Sequence, residues 1–290
     1  MSAPAPLPAV VLGARGTLGQ ALVECLPARG YDVRAALGSA DGDITDAATV
    51  RAIVDRHRPA VIFNAAAFTD VDAAETAPDR AFAVNALGPE NLARAAAATG
   101  AVLLHYSTDF VFDGESERPY DEFDPPSPQG LYARSKLAGE RLAAAATARL
   151  FTVRVGCLYG RGGRNFPSTI LRRLKAGETV RADGDRSASP TWVRPVAEIS
   201  AALARTDHYG LYHCTSQGET SWADFARFIA AELGVPRERV LGLPTAALPL
   251  KAPRPRRAIL DNRMLRLRGL DTMPGWQEAA RAFIASEASA

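Results

Sequence analysis

The stretch VVLGARGTLGQ, residues 10–20, decides how the rest of the chain is read. Its Val-Val-Leu opening reads as the end of a buried strand. Gly13, Gly16 and Gly19 then recur at a spacing of three, and a helical apolar pattern begins at Leu18. A strand, a glycine turn and a helix in that order let backbone approach a pyrophosphate closely, with the phosphates at the helix N-terminus. Three glycines alone are a weak signal. Their place directly after an apolar strand and before a helix, near the start of the chain, gives them weight.

Working outward, further apolar runs at 31–37, 59–67, 101–108 and 150–160 read as buried strands, with the first at 9–14. Helical patterns lie between them at 18–29, 47–58, 77–99 and 132–148. Continuous apolar strands spaced by helices predict an α/β fold, a doubly wound parallel sheet of Rossmann-like type. After Gly160 the pattern changes. GRGGRN (160–165) is dense in Gly and Arg, helices are predicted at 166–176 and from Ser221, and a Pro/Arg-rich run spans 248–260. The expected division is a dinucleotide-binding domain at 1–156 and a mainly substrate-binding region at 157–290, some of whose segments return to the first domain.

Composition bounds the function. With 290 residues, 47% hydrophobic and 23% charged, the chain reads as an ordinary soluble globular protein. A net charge of +2 gives no electrostatic case for nucleic acid or an anionic membrane as partner. Cys25, Cys157 and Cys214 are too widely spaced for a metal site or a disulfide framework, as in a reducing compartment. No 18-residue apolar run exists, and MSAPAPLPAV lacks the basic and apolar regions of a signal peptide. A cytoplasmic location is therefore expected.

Charges beside the second strand bear on the cofactor. An acid there would take a ribose 2′-hydroxyl, and an Arg the 2′-phosphate of NADPH. AALGS (35–39) has no acid, while Arg15 lies in the glycine turn and Arg34 on the strand. NADPH is expected, with NADH as second choice; Asp43 is placed at the adenine edge.

SPQGLYARSKLAGER (127–141) carries the second decisive pattern, Tyr132 four residues before Lys136. Only three of the 34 basic residues are Lys, so about 0.07 such matches are expected by chance. At i and i+4 the two share a helix face. A nearby ammonium lowers a phenol's pKa from its usual ~10, turning Tyr into a usable acid–base group. A compact Lys charge suits that role and a ribose hydroxyl better than a planar guanidinium. The hydroxyl partner should stand at the carboxyl end of a strand, where LLHYSTDFVFDG (103–114) supplies Ser107 and Thr108.

Together these residues resemble the short-chain dehydrogenase/reductase superfamily in its extended, sugar-nucleotide branch. Nearly the whole chain is similar to the dTDP-4-dehydrorhamnose reductase family, through NAAAFTDVDAAE (64–75), VNALGPENLA (84–93), YSTDFVFDG (106–114), YARSKLAGE (132–140), NFPSTILRRL (165–174), SPT (189–191) and GLYHCTSQGETSWADFA (210–226). The resemblance implies reduction of the C4 ketone of a nucleotide-linked 6-deoxy-4-keto sugar. Tyr132 would be the proton donor, Lys136 its modulator and Thr108 the hydroxyl partner. It places Thr17, Leu18, Ile44, Ala65, Ala66, Ala67 and Asn85 with the glycines around the cofactor. Thr69, Val71, Ser107, Thr108, Phe110, Cys157 and Asn165 fall around the nucleotide-diphosphate sugar. Arg254, in RPRRAIL (254–260), is the candidate for its diphosphate through its planar donor fork.

Departures fall in the substrate half. Cys157 stands where the family usually shows a Trp, DRSASPT (185–191) replaces a stretch with Gln and Gly at positions 186 and 188, and Ala258 replaces a common Ser. The resemblance also allows a homodimer. In some members carboxylates hold magnesium between subunits, one of them shortly after the glycine turn; Ala21 occupies that position here, so no metal is expected.

Plainer readings compete for other residues. His105 and His213 are expected to be packed in strands, and His57 and His208 to sit at surface helix ends. Trp222, Phe225 and Phe228 recur at helical spacing and are expected in a core. Asp70, Asp72 and Glu75 are expected to serve a helix start. Three rival functions remain. A 4-ketoreductase for another dTDP-deoxysugar of secondary metabolism is the first, and an epimerase of the same branch the second. The third is a non-catalytic NADP-binding subunit, against which the complete Thr/Tyr/Lys set argues. A 4,6-dehydratase would need Glu after Asp109, where this chain has Phe110.

Overall fold

The computed structural model describes residues 5–162 and 165–288. Six parallel strands form the central sheet: β1 (Leu7–Leu12), β2 (Tyr31–Leu37), β3 (Val61–Asn64), β4 (Val102–Thr108), β5 (Leu150–Val155) and β6 (Gly210–His213). Their order is β6-β5-β4-β3-β1-β2. The chain leaves β1 for β2 on one side and then crosses to β3 on the other. Strand order therefore reverses at β1, and a crevice opens beyond the carboxyl ends of β1 and β3.

Burial explains the apolar runs. Every residue of β3, β4 and β5 is buried, because helices cover both faces of the sheet. Edge strand β2 instead alternates exposed and partly buried positions after Tyr31. One face packs on α1 (Thr17–Cys25) and α6 (Val193–Leu203), through Leu18, Leu22, Val196 and Ile199. The other packs on α2 (Ala47–His57), α3 (Gly88–Thr99) and α4 (Leu131–Ala146), through Val50, Val54, Leu92 and Ala143.

A separate core gathers Tyr159, Ile170, Leu174, Phe225, Ile229 and Phe283. It lies among α5 (Phe166–Lys175), α7 (Trp222–Glu232) and α8 (Trp276–Ala288), with the parallel pair Val180–Asp183 and Val240–Leu243. From the second half of the chain, β6 joins the main sheet beside β5, and α6 packs against α1. Among the described residues no helix is long and apolar enough to cross a membrane.

Three stretches differ from the sequence reading. The single helix expected over 77–99 is divided into Pro78–Phe82, a π-helical turn Ala83–Leu87 and α3. Pro89 has no N–H to give the Asn85 carbonyl four residues back, so the ladder slips by one residue. The strand expected over 150–160 ends at Val155, and Leu158–Tyr159 pairs elsewhere, with Thr191–Trp192. Between them Cys157 turns the chain with a left-handed φ of 50°. Helix α6 was not expected at all. Its Pro195 reads as a breaker, but it sits in the first turn, where a missing N–H has no intrahelical partner anyway.

Candidate active site

The glycine turn closes against the end of β3. Gly13 has a φ of 74°, and a Cβ there would lie 2.5 and 2.6 Å from the Ala65 carbonyl carbon and oxygen. Only glycine fits. Gly16 then caps α1 without a side-chain hydrogen bond, so among the described residues nothing occupies the first-turn N–H groups at the positive end of the helix dipole. A cavity of about 380 Å³ opens there, lined by Gly16, Thr17 and Leu18 on one side and by Asn64, Ala65, Ala66, Ala67 and Thr69 on the next.

Helix α4 forms the opposite wall and is held at several points. Its N-cap, Gly130, has no side chain, and Glu75 takes over the capping role: its Oε1 accepts from Leu131 N at 2.8 Å. Asn85 sits in the π turn, 1% exposed, with both amide hydrogens committed. They go to the Phe68 carbonyl and to Ser135 Oγ, both at 3.0 Å, and Asn85 Oδ1 accepts from Phe68 N at 2.8 Å. Ser135 in turn donates to the Tyr132 carbonyl at 2.7 Å. One buried amide thus ties the loop after β3 to the helix turn between Tyr132 and Lys136. Gly139, one turn on, lets that helix lie directly against the Asn85 carbonyl.

Thr108, Tyr132 and Lys136 all line the same cavity as the glycine turn. Lys136 is 3% exposed and donates through Nζ to the Tyr106 carbonyl at 2.6 Å. Burial lowers its pKa to about 8, against the attraction of Glu140 one turn further along α4. Glu140 is itself paired with buried Arg154 of β5, at 3.0 and 2.8 Å. The Tyr132 phenol is pushed up to about 12 by burial, with the Thr108 hydroxyl pulling down and the Asp109 charge adding to the rise. Lys136 was expected to lower this phenol. Burial dominates instead, and the ammonium is turned to the Tyr106 carbonyl. A phenol kept neutral is the form in which Tyr132 can give a proton away.

Ser107 lines the cavity beside Thr108, with its buried Oγ lacking a hydrogen-bond partner among the described residues. Thr108 Oγ1 donates to Asp109 Oδ1 at 2.9 Å and accepts from Phe110 N at 3.2 Å. Asn165 lines the cavity and caps α5, accepting from Ser168 N at 2.9 Å. Phe110 meets the Tyr132 ring edge-on, centroids 6.1 Å apart.

A second cavity, of about 340 Å³, shares Asp109 and Cys157 with the first. Its walls are largely apolar, with Phe110, Phe166, Ala188, Trp222, Leu248 and Pro255 among them, and Arg181, Arg186 and Arg254 at its margins. Trp222 was expected in a core. It packs partly buried against the separate core, its ring centroid 6.1 Å from that of Phe225, and it also lines this cavity beside Phe166, centroids 5.1 Å apart. Arg254 is held bidentately by Asp72, both contacts at 2.9 Å, which keeps that carboxyl well below its usual range. Asp72 thus anchors Arg254 as well as lying near a helix start, and Val71 opens that helix.

Other expected residues lie around the first cavity rather than in it. Arg15 crosses the end of β2 against Gly38 and pairs with Asp41 at 3.0 Å. Asp43 accepts from Thr45 N and Oγ1, and Ile44 packs on Gly88. Arg34 points elsewhere, bonding Asp32 and the His57 carbonyl at the far end of α2. Asp109, where the cavities meet, carries no local sequence signal, because its burial depends on elements far away in the chain.

A free helix N-terminus, a close glycine turn and a Lys with unused donors form a cradle that fits a nicotinamide dinucleotide. Fold and site make the protein a Rossmann-like reductase of the short-chain dehydrogenase/reductase superfamily. A family model described as the RmlD substrate binding domain matches residues 8–289. The chain is 42% identical to the dTDP-4-dehydrorhamnose reductase of Streptomyces griseus, over 93% of this chain and 90% of that protein. It is 39% identical to the dTDP-4-keto-6-deoxy-D-glucose reductase of Streptomyces niveus, over 93% and 94%. A dTDP-4-dehydrorhamnose reductase of Bacillus anthracis, solved in complex with NADP, superposes with a TM-score of 0.92 at 36% identity, covering 97% of this chain and 99% of that one. The chain belongs to the dTDP-4-dehydrorhamnose reductase family.

Proposed function

We propose that this protein reduces the C4 ketone of a dTDP-linked 6-deoxy-4-keto sugar, dTDP-4-dehydrorhamnose to dTDP-rhamnose, with NADPH. The observation that carries the reading is a single cavity bounded at once by the glycine turn and by Thr108, Tyr132 and Lys136. When bound, the reduced nicotinamide supplies a hydride to the ketone carbon. The chain's own groups do the rest. Tyr132, kept neutral by burial, gives its proton to the oxygen as charge develops there, and the Thr108 hydroxyl stabilises that charge. Lys136 has donors left beyond its bond to Tyr106 and orients the ribose. The first-turn N–H groups of α1 take the pyrophosphate, and Arg15, at the end of β2, takes the 2′-phosphate. The mostly apolar second cavity receives the nucleotide end of the substrate, with the arginines at its margin.

A reductase of another dTDP-deoxysugar is the second reading. The smaller Cys157 where the two cavities join, and the Streptomyces niveus relative, favour it. Three free cysteines support a cytoplasmic location. The test is NADPH consumption, with NADH in parallel, on adding dTDP-4-dehydrorhamnose. Rapid oxidation is expected. Tight NADPH binding without turnover would move the assignment to another keto sugar.

A further inference from the structure

Asp109 follows Thr108 directly, is 5% exposed, and lies where the two cavities meet. Its Oδ1 takes the Thr108 hydroxyl hydrogen at 2.9 Å. Its Oδ2 fills the space left by Gly156, where a Cβ would come within 2.5 Å of that oxygen. The groups facing it are Tyr132 from α4 and Cys157 after β5. Across the second cavity stand Arg181, Arg186, Asp183 and Arg254. Arg186 is held by Asp183 at 2.6 Å and Arg254 by Asp72. No cation pairs with Asp109 among the described residues.

A threonine hydroxyl has one hydrogen and two acceptor sites. Phe110 N occupies one acceptor site of Thr108. While Asp109 is ionised it takes the hydrogen, and Thr108 has nothing to donate to a substrate oxygen. A protonated Asp109 reverses the bond: the carboxyl donates to Thr108, and the Thr108 hydrogen is released toward the cavity. We propose that Asp109 is a positioning residue whose protonated carboxyl sets Thr108 as the hydrogen-bond donor to the substrate oxygen. The proton stays on Asp109, and no covalent step is involved. The inference rests on reading the site as a ketone reductase. Its electrostatics agree: burial pushes the Asp109 carboxyl up to about 7, against the Thr108 hydroxyl and the N–H groups of Asp109 and Phe110.

Two measurements test it. The first is an infrared difference titration of the ligand-free protein, wild type against Asp109→Asn. A carboxylic-acid band that disappears with a midpoint close to pH 7, absent from the variant, is expected; full ionisation already at pH 5 overturns the proposal. The second is kcat/KM for the keto sugar against pH. In the wild type it should fall about fivefold between pH 7 and 8 as this one group ionises. Asp109→Asn, whose amide donates to Thr108 at every pH, should lose that fivefold part and keep only the shallower decline, about twofold over the same window, set by Lys136. An unchanged fall in the variant overturns the proposal. Thr108→Val provides a second check, because without the hydroxyl the residual rate should also lose the fall; its persistence overturns the proposal even if Asp109→Asn fails to fold. The titration needs no substrate, so a wild-type protein inert toward the keto sugar would count against the substrate reading and not against the protonated carboxyl.

Discussion

Gly139→Ala should destabilise the protein although it replaces a helix-interior glycine. By helix propensity alone the change would add about 0.5–1 kcal/mol of stability. In the structure a Cβ at 139 would lie 3.2 Å from the Asn85 carbonyl carbon, with the oxygen nearer still. Backbone cannot swing aside as a side-chain tip can, so the π turn must retreat by roughly 1.4 Å to restore ordinary contact. Overpacking of this kind costs about 1–3 kcal/mol. The expected net loss is about 1–2 kcal/mol, a Tm lower by roughly 2–3 °C in a chain of this size. Because Asn85 also holds Phe68 and Ser135, the retreat loosens the helix carrying Tyr132 and Lys136. Turnover should drop tenfold or more, toward the ~100-fold that a 1 Å misplacement can cost. Thermal and urea unfolding give the first number, and steady-state NADPH oxidation the second. A variant as stable as the wild type, or more so, would refute the packing argument.

Three other predictions follow from the site and its supports. Tyr132→Phe should abolish turnover and leave cofactor binding, read by fluorescence titration, largely unchanged; undiminished turnover contradicts the proton-donor role. Glu140→Gln leaves buried Arg154 unpaired and should cost about 3–5 kcal/mol in urea unfolding, much of it recovered when Arg154→Met and Glu140→Leu are combined. His213 is kept neutral by burial, with Arg154 adding to the effect, its pKa lowered from 6.5 to about 3. The unfolded chain takes up that proton first, so His213 contributes stability that is lost as pH falls from 6.5 toward 3. In His213→Gln the decline over that window should be shallower, and an unchanged slope in denaturation midpoints would exclude this contribution.

Much of the sheet could be read directly from the chain because buried parallel strands need unbroken apolar runs. β2 and β4 fall within a residue of the expected bounds. The glycine turn and the Tyr132/Lys136 spacing were legible for the same local reason: each depends on residues close together in sequence. What could not be read depends on distance. The second cavity is assembled from Phe110, Phe166, Arg181, Trp222 and Leu248, five separate segments with no common period. Asp109 looks like an ordinary surface acid until Gly156 and the surrounding walls enclose it. Arg34 shows the reverse case. Its strand position suggested the cofactor, but a long side chain chooses its own partner, and here that partner lies at the far end of α2.

The return of β6 to the sheet sets a schedule for the chain as it is made. β5 ends at Val155, and its neighbour begins only at Gly210. At about 5–20 residues per second, synthesis leaves the β5 edge without its partner for about 3–11 s. That edge is fully buried in the finished protein and apolar at Leu150, Phe151, Val153 and Val155. A nascent chain in this interval carries an open, sticky strand edge, the kind of surface that holdase chaperones bind and that mispairs between neighbouring ribosomes. Slower translation between residues 155 and 210 lengthens that exposure, so codon choice in that interval bears on the yield of a sheet whose other strands all precede it.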